Sequence, residues 1–229
     1  EPVLAARIAR GPMAQQGGLA VVVAMGLVVT TALARGLSLA EFGVYGFVVA
    51  FAAYFVFVIG TAETAAVNEM ASATTPRELD LAFTRSILVY SGLGLGAGVL
   101  VATAAALLVS VLDISSELTQ QGRLGAVALG LLTAAGWTAK VFQDYLRATH
   151  RFTAASMSEA IGSVLLCSFV LLALALDAPL WCLIAAGGAV TFYSGVTAMV
   201  IVFARRIGCQ FRPREVEAAE LRSFLGYSG

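Results

Sequence analysis

Three charged residues, Lys140, Asp144 and Arg147, lie close together in a largely apolar part of the chain. Their spacing places them on one face if this segment is helical. Lys140 and Asp144 can then form an ion pair, which lowers the cost of placing both charges in a membrane. Two interpretations are open: a cationic patch for an anionic, pyrophosphate-linked lipid, or an anchor whose long side chains reach the membrane surface.

Other polar residues lie beside or within apolar segments. Glu159 is near one end of such a segment, where an ionisable group is by default a functional candidate. It is either a proton- or cation-sensitive group that lines a cavity, or a structural partner of Lys140 or Arg147. Glu63 and Asn68 follow another apolar segment. They either face a central cavity or are solvated.

The chain has few of the histidine, lysine and cysteine residues that many catalytic and metal sites use. The chain has one histidine, His150, so an HExxH motif and histidine-based metal clusters are impossible. Lys140 is its single lysine and is followed by valine, so no GxxxxGK[ST] phosphate-binding loop is present. The three cysteines have unrelated spacings and indicate neither a disulfide framework nor a metal site. We therefore predict that the protein is not an enzyme and has no resident cofactor.

The composition favours an all-α integral membrane protein. Of the 229 residues, 59% are hydrophobic and 12% are charged, whereas soluble domains carry about 25% charged residues. This balance excludes a disordered chain and a nucleic-acid-binding domain, so no nucleic acid partner is expected. Six apolar segments are long enough to cross a bilayer as helices. They are Met13–Ala34, Phe42–Thr61, Ser86–Leu112, Leu124–Phe142, Ala155–Leu176 and Leu180–Phe203.

The basic residues predict the orientation of this six-helix bundle. With the N-terminus in the cytoplasm, all of the 14 basic residues except Arg35 and Arg123 fall on the cytoplasmic side. Such an excess is the signature of cytoplasmic loops. Both chain ends are therefore predicted to be cytoplasmic. The third segment also holds two GxxxG pairs, Gly92/Gly96 and Gly94/Gly98, which indicate either a moving interface or static helix packing.

One stretch of sequence resembles a known family. Residues 32–50 resemble the opening signature of the polysaccharide-export flippases, which are O-antigen and teichoic-acid exporters of the multidrug/oligosaccharidyl-lipid/polysaccharide exporter superfamily. The matching residues are Arg35, Leu37, Glu41, Phe42, Gly43 and Tyr45. Two further features extend the similarity: a glycine at the end of the second segment, Gly60, and an arginine with a bulky aromatic residue after the fourth helix (Arg147, Arg151 and Phe152). Such proteins often carry an arginine several residues after that glycine, and Asn68 lies near that position in this chain.

The resemblance implies a transporter with two lobes around a cavity that opens alternately to each side. Residues 1–204 would form the N-terminal lobe, and residues 205–229 would be a cytoplasmic linker toward a C-terminal lobe that this chain lacks. The implied substrate is a lipid-linked oligosaccharide whose tail stays among the membrane lipids while basic residues hold its pyrophosphate. Proton or sodium coupling, and polysaccharide polymerase or glycosyltransferase partners, are implied in the bacterial cytoplasmic (inner) membrane. One lobe alone is expected not to transport.

Two alternatives stay open at this point. A small-molecule or drug exporter of the same superfamily would have a smaller cavity with one or two acidic residues. A non-transporting membrane scaffold subunit would carry ionisable groups only at the membrane edges. An oligosaccharide-lipid exporter would instead have a cationic cavity lining.

Overall fold

The computed structural model describes the backbone of residues 2–216 and the side chains of residues 15–55 and 62–216. Across this part of the chain the secondary structure is helical, with no strand. The main helices are α1 (Pro2–Gly36), α2 (Leu39–Ser72), α3 (Pro76–Leu100), α4 (Ser116–Ala148), α5 (Phe152–Ala175), α6 (Leu180–Gly188) and α7 (Val190–Ala204). A π-helical turn, Val101–Ala105, and a last α-helical turn, Ala106–Val109, prolong α3.

The six predicted apolar segments coincide with helices, except that the third helical segment ends at Val109 and the sixth is interrupted at Ala189. Within the described residues, four helical segments are long and apolar enough to cross a membrane: Gln15–Gly36, Pro76–Val109, Ser116–Ala148 and Phe152–Ala175. The described apolar part of α2, Leu39–Phe55, is shorter. The protein is therefore an all-α, multi-pass membrane protein. The count of six spans and the cytoplasmic location of both ends stay predictions.

The sixth predicted segment is not one continuous helix. It is divided into α6 and α7, which are bent by 55° relative to each other, and the pair would make a fifth span. Helix α6 packs close to Tyr45 at Gly187 and close to Leu129 at Gly188. The segment contains no proline, and the bend comes directly after the glycine pair Gly187–Gly188, a common position for a sharp helix kink.

Two helices begin with the reciprocal hydrogen bonds of a capping box. Thr75 caps α3 with Glu78 as its partner, and Pro76 stands at the first helical position, which favours proline because the N–H that proline lacks would have no partner there. Ser38 caps α2 with Glu41 as its partner. The Ser38 hydroxyl donates to Glu41 Oε2 over 2.7 Å, and the Glu41 backbone N–H donates to the Ser38 hydroxyl over 3.3 Å. The acidic residue of the family signature therefore has a structural role at a helix start.

Replacement of Ser38 by alanine is expected to cost about 1 kcal/mol of stability at neutral pH because the cap is lost. Hydrogen bonds from the Ser38 hydroxyl and backbone N–H hold the pKa of Glu41 below its ordinary value. A carboxyl of this kind stabilises the fold above its unfolded-state pKa of about 4.3, and that contribution disappears as the pH falls through the folded-state pKa. Thermal unfolding in detergent should therefore show a smaller penalty at pH 3 than at pH 7.

The control for that prediction is Ser168→Ala. The Ser168 hydroxyl donates only to the carbonyl of Val164 in its own helix, over 2.8 Å, on the exposed side of α5. Its replacement should change stability little at either pH. Equal losses for the Ser38 and Ser168 variants would contradict the capping role of Ser38.

Helix α4 is the centre of the bundle. It packs against α2, α3, α6 and α7, whereas α1 packs mainly on α5 and α5 mainly on α1 and α7. The apolar core has two parts. One part lies toward the start of α2 and includes Val44, Val48, Leu129 and Ile184. The other lies toward the end of α2, the predicted cytoplasmic end, and includes Tyr90, Trp137, Tyr145 and Val202.

The chain that follows α7 crosses the start of α3. Asp80 accepts hydrogen bonds from the backbone N–H of Gln210 over 2.9 Å and from Arg212 Nε over 3.3 Å. Arg77 forms an ion pair with Glu215 at 3.0 Å. The first part of the predicted linker is therefore fixed to the bundle. The polar sequence of residues 214–225 predicts a short surface helix, most of which falls on residues 217–229, outside the described residues.

Candidate functional site

The charged face of α4 forms as its sequence spacing predicts. Lys140 Nζ lies 3.1 Å from Asp144 Oδ1, and Arg147 Nη1 lies 3.5 Å from the same oxygen. Asp144 is fully buried. The prediction that Lys140 and Asp144 pair is confirmed, because α4 continues without a break to Ala148 and keeps the three residues on one side.

Two neighbouring helices each add one carboxylate to this face. Glu63 of α2 has its Oε1 2.8 Å from Lys140 Nζ, and it also forms an ion pair with Arg147 Nη1. Glu159 of α5 forms an ion pair with Arg147 Nη2. Arg147 thus joins α2 and α5 across α4. We call Glu63, Lys140, Asp144, Arg147 and Glu159 the ionic cluster.

Two uncharged residues complete the hydrogen bonding. The Tyr90 hydroxyl of α3 donates to Asp144 Oδ2 over 2.8 Å, and Gln143 Nε2 donates to Glu159 Oε1 over 2.6 Å. Both residues are buried. Sequence reasoning missed them because neither carries a charge. Gln143 could have been noted from the sequence, because it is an amide that lies between the charged residues Lys140 and Asp144.

The ionic cluster holds three carboxylates and two cations, so its formal charge is −1 when all five groups are ionised. The side chains of Glu63, Arg147 and Glu159 are each 29% exposed, whereas Lys140 is 12% exposed. Because Glu63, Arg147 and Glu159 are partly exposed, they can exchange their present partners for a ligand or a proton, whereas Asp144 is buried. Among the described residues, no group of histidine, cysteine, aspartate or glutamate is arranged to hold a metal ion.

The remaining predicted residues lie elsewhere. Asn68 is exposed on α2 and takes no part in the hydrogen bonds of the ionic cluster. Phe42 stacks on Tyr45 with 6.4 Å between ring centroids, and both belong to the part of the core near the start of α2. Arg35 and Gly43 are exposed. The family-signature residues therefore lie at the end of the bundle opposite the ionic cluster, where they shape the connection between α1 and α2.

A comparison with solved structures found a protein with a similar fold. The chain is similar to a MOP superfamily transporter from Pyrococcus furiosus Vc1 (DSM3638), with a TM-score of 0.70 and 17% sequence identity. The alignment covers 97% of this chain and 51% of that transporter. The chain has the fold of half a MOP transporter. MOP is the multidrug/oligosaccharidyl-lipid/polysaccharide exporter superfamily, whose flippase signature residues 32–50 resemble.

That transporter is described as having a binding pocket of reverse polarity, which suggests a different function for it. This chain spans about half its length. No protein-family model matches the sequence, and no curated protein matches it. The MOP similarity at this level of identity concerns the fold, so the chemistry of this chain is argued from its own residues.

Proposed function

We propose that the chain is one lobe of a membrane transporter that moves a lipid-linked oligosaccharide across the bacterial cytoplasmic membrane by alternating access. The ionic cluster is the observation that carries this proposal. It concentrates Lys140 and Arg147 inside an otherwise apolar bundle, with the guanidinium of Arg147 partly accessible. Charged groups within a membrane protein are costly, and they commonly mark substrate or ion pathways.

The proposed recognition is an exchange of partners at Arg147. In the structure, Glu63 and Glu159 hold the guanidinium of Arg147 from two sides. A pyrophosphate headgroup offers pairs of oxygens, and the planar guanidinium can bind such a pair through two parallel hydrogen bonds. If Arg147 turns to the headgroup, Glu63 keeps Lys140 as a partner at 2.8 Å, whereas Glu159 keeps the hydrogen bond from Gln143. The second wall of the cavity would come from another lobe.

The negative balance of the ionic cluster favours a second candidate. Three carboxylates face two cations, so a cationic small molecule or a proton gains more from the cluster than an anion does in the resting arrangement. The two partly exposed carboxylates, Glu63 and Glu159, match the one or two acidic residues expected of a drug exporter of the same superfamily. Under either candidate, Glu63 and Glu159 are the groups that a coupling proton or sodium ion would reach first, because both are partly exposed.

A binding measurement on the purified chain in nanodiscs separates the two candidates. Undecaprenyl-pyrophosphate carrying a short sugar is the anionic probe, and ethidium is the cationic probe. We expect binding of the pyrophosphate lipid, and we expect Arg147→Lys to weaken it by roughly tenfold because lysine cannot make the bidentate contact. The matched control is Arg77→Lys, which retains a charge outside the ionic cluster and should bind as the wild type does.

The outcomes are distinct. Binding of ethidium but not of the pyrophosphate lipid would replace the first candidate with the second. Binding of neither probe would contradict both and leave the scaffold interpretation. Equal losses for the Arg147 and Arg77 variants would show that the pyrophosphate lipid binds outside the ionic cluster.

A further inference from the structure

The arginines that the structure describes at the predicted cytoplasmic end fall into two groups, those in ion pairs and those without. Most of those near α2, α3 and α4 are neutralised by carboxylates, as Arg77 is by Glu215 and Arg85 by Glu69. Arg151, Arg205 and Arg206 are exposed, and they form no ion pair within the part of the chain that the structure describes. Their charge is therefore available to a partner outside the bundle.

Arg151, Arg205 and Arg206 stand at helix ends that are joined to each other. The backbone N–H of Arg151 donates to the carbonyl of Leu146 over 2.8 Å, which holds it against the last turn of α4. Arg205 and Arg206 follow the last turn of α7. The Tyr145 hydroxyl of α4 donates to the carbonyl of Gly208, so the ends of α4 and α7 are joined beside these arginines. We call Arg151, Arg205 and Arg206 the basic corner.

An exposed aromatic residue lies next to the basic corner. Phe203 is two residues before Arg205, and 64% of it is exposed. Its ring packs on Phe142 of α4 with 5.7 Å between centroids, so it is held in place on the outside of the bundle. Apolar rings and basic side chains side by side are typical of the boundary between hydrocarbon and headgroups. The exposed arginines and the exposed ring of Phe203 therefore fit a membrane surface, where anionic headgroups lie next to the apolar hydrocarbon layer.

We propose that the basic corner binds the headgroups of anionic phospholipids in the adjoining leaflet. The proposal is independent of any transport function, since it uses none of the residues of the ionic cluster. Basic residues close to a membrane surface are attracted to acidic lipids, and this attraction weakens as salt concentration rises. The corner anchors the ends of α4, α5 and α7 to the lipid surface, whereas the paired arginines stabilise the protein itself.

The test uses the whole purified chain in a neutral detergent, with native mass spectrometry as the readout of bound lipid. Phosphatidylglycerol is the anionic probe, phosphatidylcholine is the zwitterionic probe, and inorganic phosphate is added as a competitor. We expect the wild type to retain phosphatidylglycerol in preference. The Arg205→Gln/Arg206→Gln variant should lose roughly tenfold in phosphatidylglycerol affinity, while Arg205→Lys/Arg206→Lys should keep most of it.

The matched control removes two charges at the other end of the bundle, with Arg35→Gln and Arg123→Gln. Both side chains are exposed, so the change in net charge is the same and the effect on lipid retention should be small. No preference for phosphatidylglycerol in the wild type would overturn the proposal, as would an equal loss in the control. Full displacement of the lipid by millimolar phosphate would also overturn it, because the corner would then be a site for free anions.

Discussion

Replacement of Arg147 by methionine is expected to destabilise the bundle by about 3 kcal/mol, the lower part of the range for breaking a buried ion pair. Arg147 is bound by Glu63 of α2 and Glu159 of α5, and it lies near Asp144 of its own helix. Without it, Glu63 and Asp144 share the single cation of Lys140, and Glu159 keeps only the hydrogen bond from Gln143. The lower part of the range applies because water still reaches 29% of the Arg147 side chain.

The measurement is unfolding in mixed detergent micelles, followed by helical circular dichroism. Arg151→Met is the matched control, since Arg151 is an exposed arginine at the same end of α4 with no ion pair among the described residues. It should lose less than about 0.5 kcal/mol, as exposed substitutions commonly do. Equal destabilisation by the two variants would contradict the linking role of Arg147.

A double-mutant cycle tests the mechanism behind that loss. Glu159→Gln removes one of the carboxylates that Arg147 neutralises. Arg147→Met/Glu159→Gln should therefore be more stable than the sum of the two single effects predicts, because the second change removes a charge that the first leaves unpaired. Strict additivity would show that Arg147 and Glu159 do not interact in the folded protein.

The sequence was sufficient for those features that depend on local spacing. Apolar segment length predicts where helices lie, and Thr75 followed by Pro76 predicts the start of α3. The pairing of Lys140 with Asp144 follows from one helical turn. Each of these requires only the geometry of a single helix, which residue order determines directly.

Features that depend on how helices are rotated against each other could not be predicted. For Glu63 and Glu159 the sequence left a cavity-lining role, a solvated position or a structural partner open, and only the packing of α2 and α5 on α4 shows both joined to Arg147. Helices that are apolar on all sides carry little information about which face is inside. Tyr90 adds a second difficulty: it carries no charge, and its hydrogen bond to Asp144 connects two different helices.

The two glycine pairs of α3 illustrate this limit. They have the same spacing, yet the structure places them in different surroundings. A Cβ at Gly94 would lie 2.7 Å from Trp137 Cβ of α4, and one at Gly98 would lie 2.5 Å from the carbonyl of Gly130. A Cβ at Gly92 or Gly96 would have nothing within 4 Å. One pair is therefore the contact surface with α4, and the other faces away from the bundle.

Replacement of Gly130 by valine is the second large effect that we expect, with a loss of about 3 kcal/mol or more from overpacking. A Cβ there would collide with the carbonyl oxygen of Gly98 and would come within 2.9 Å of Ala102 Cβ and 3.0 Å of Ala102 N. Two of these three atoms belong to the backbone, so no side-chain rotation relieves the clash. Helices α3 and α4 would have to move apart along the closest contact between them.

Gly96→Val is the matched control because it adds the same side chain to the same helix pair on the side with open space. It should leave unfolding in mixed micelles almost unchanged, and Gly96→Ala should stabilise by about 0.5 kcal/mol because alanine favours the helix. If Gly96→Val were as damaging as Gly130→Val, the outer face of α3 would also be a packed interface. Since the two variants differ only in what their side chains meet, their difference measures the close approach of α3 and α4 and not the helix propensity of valine.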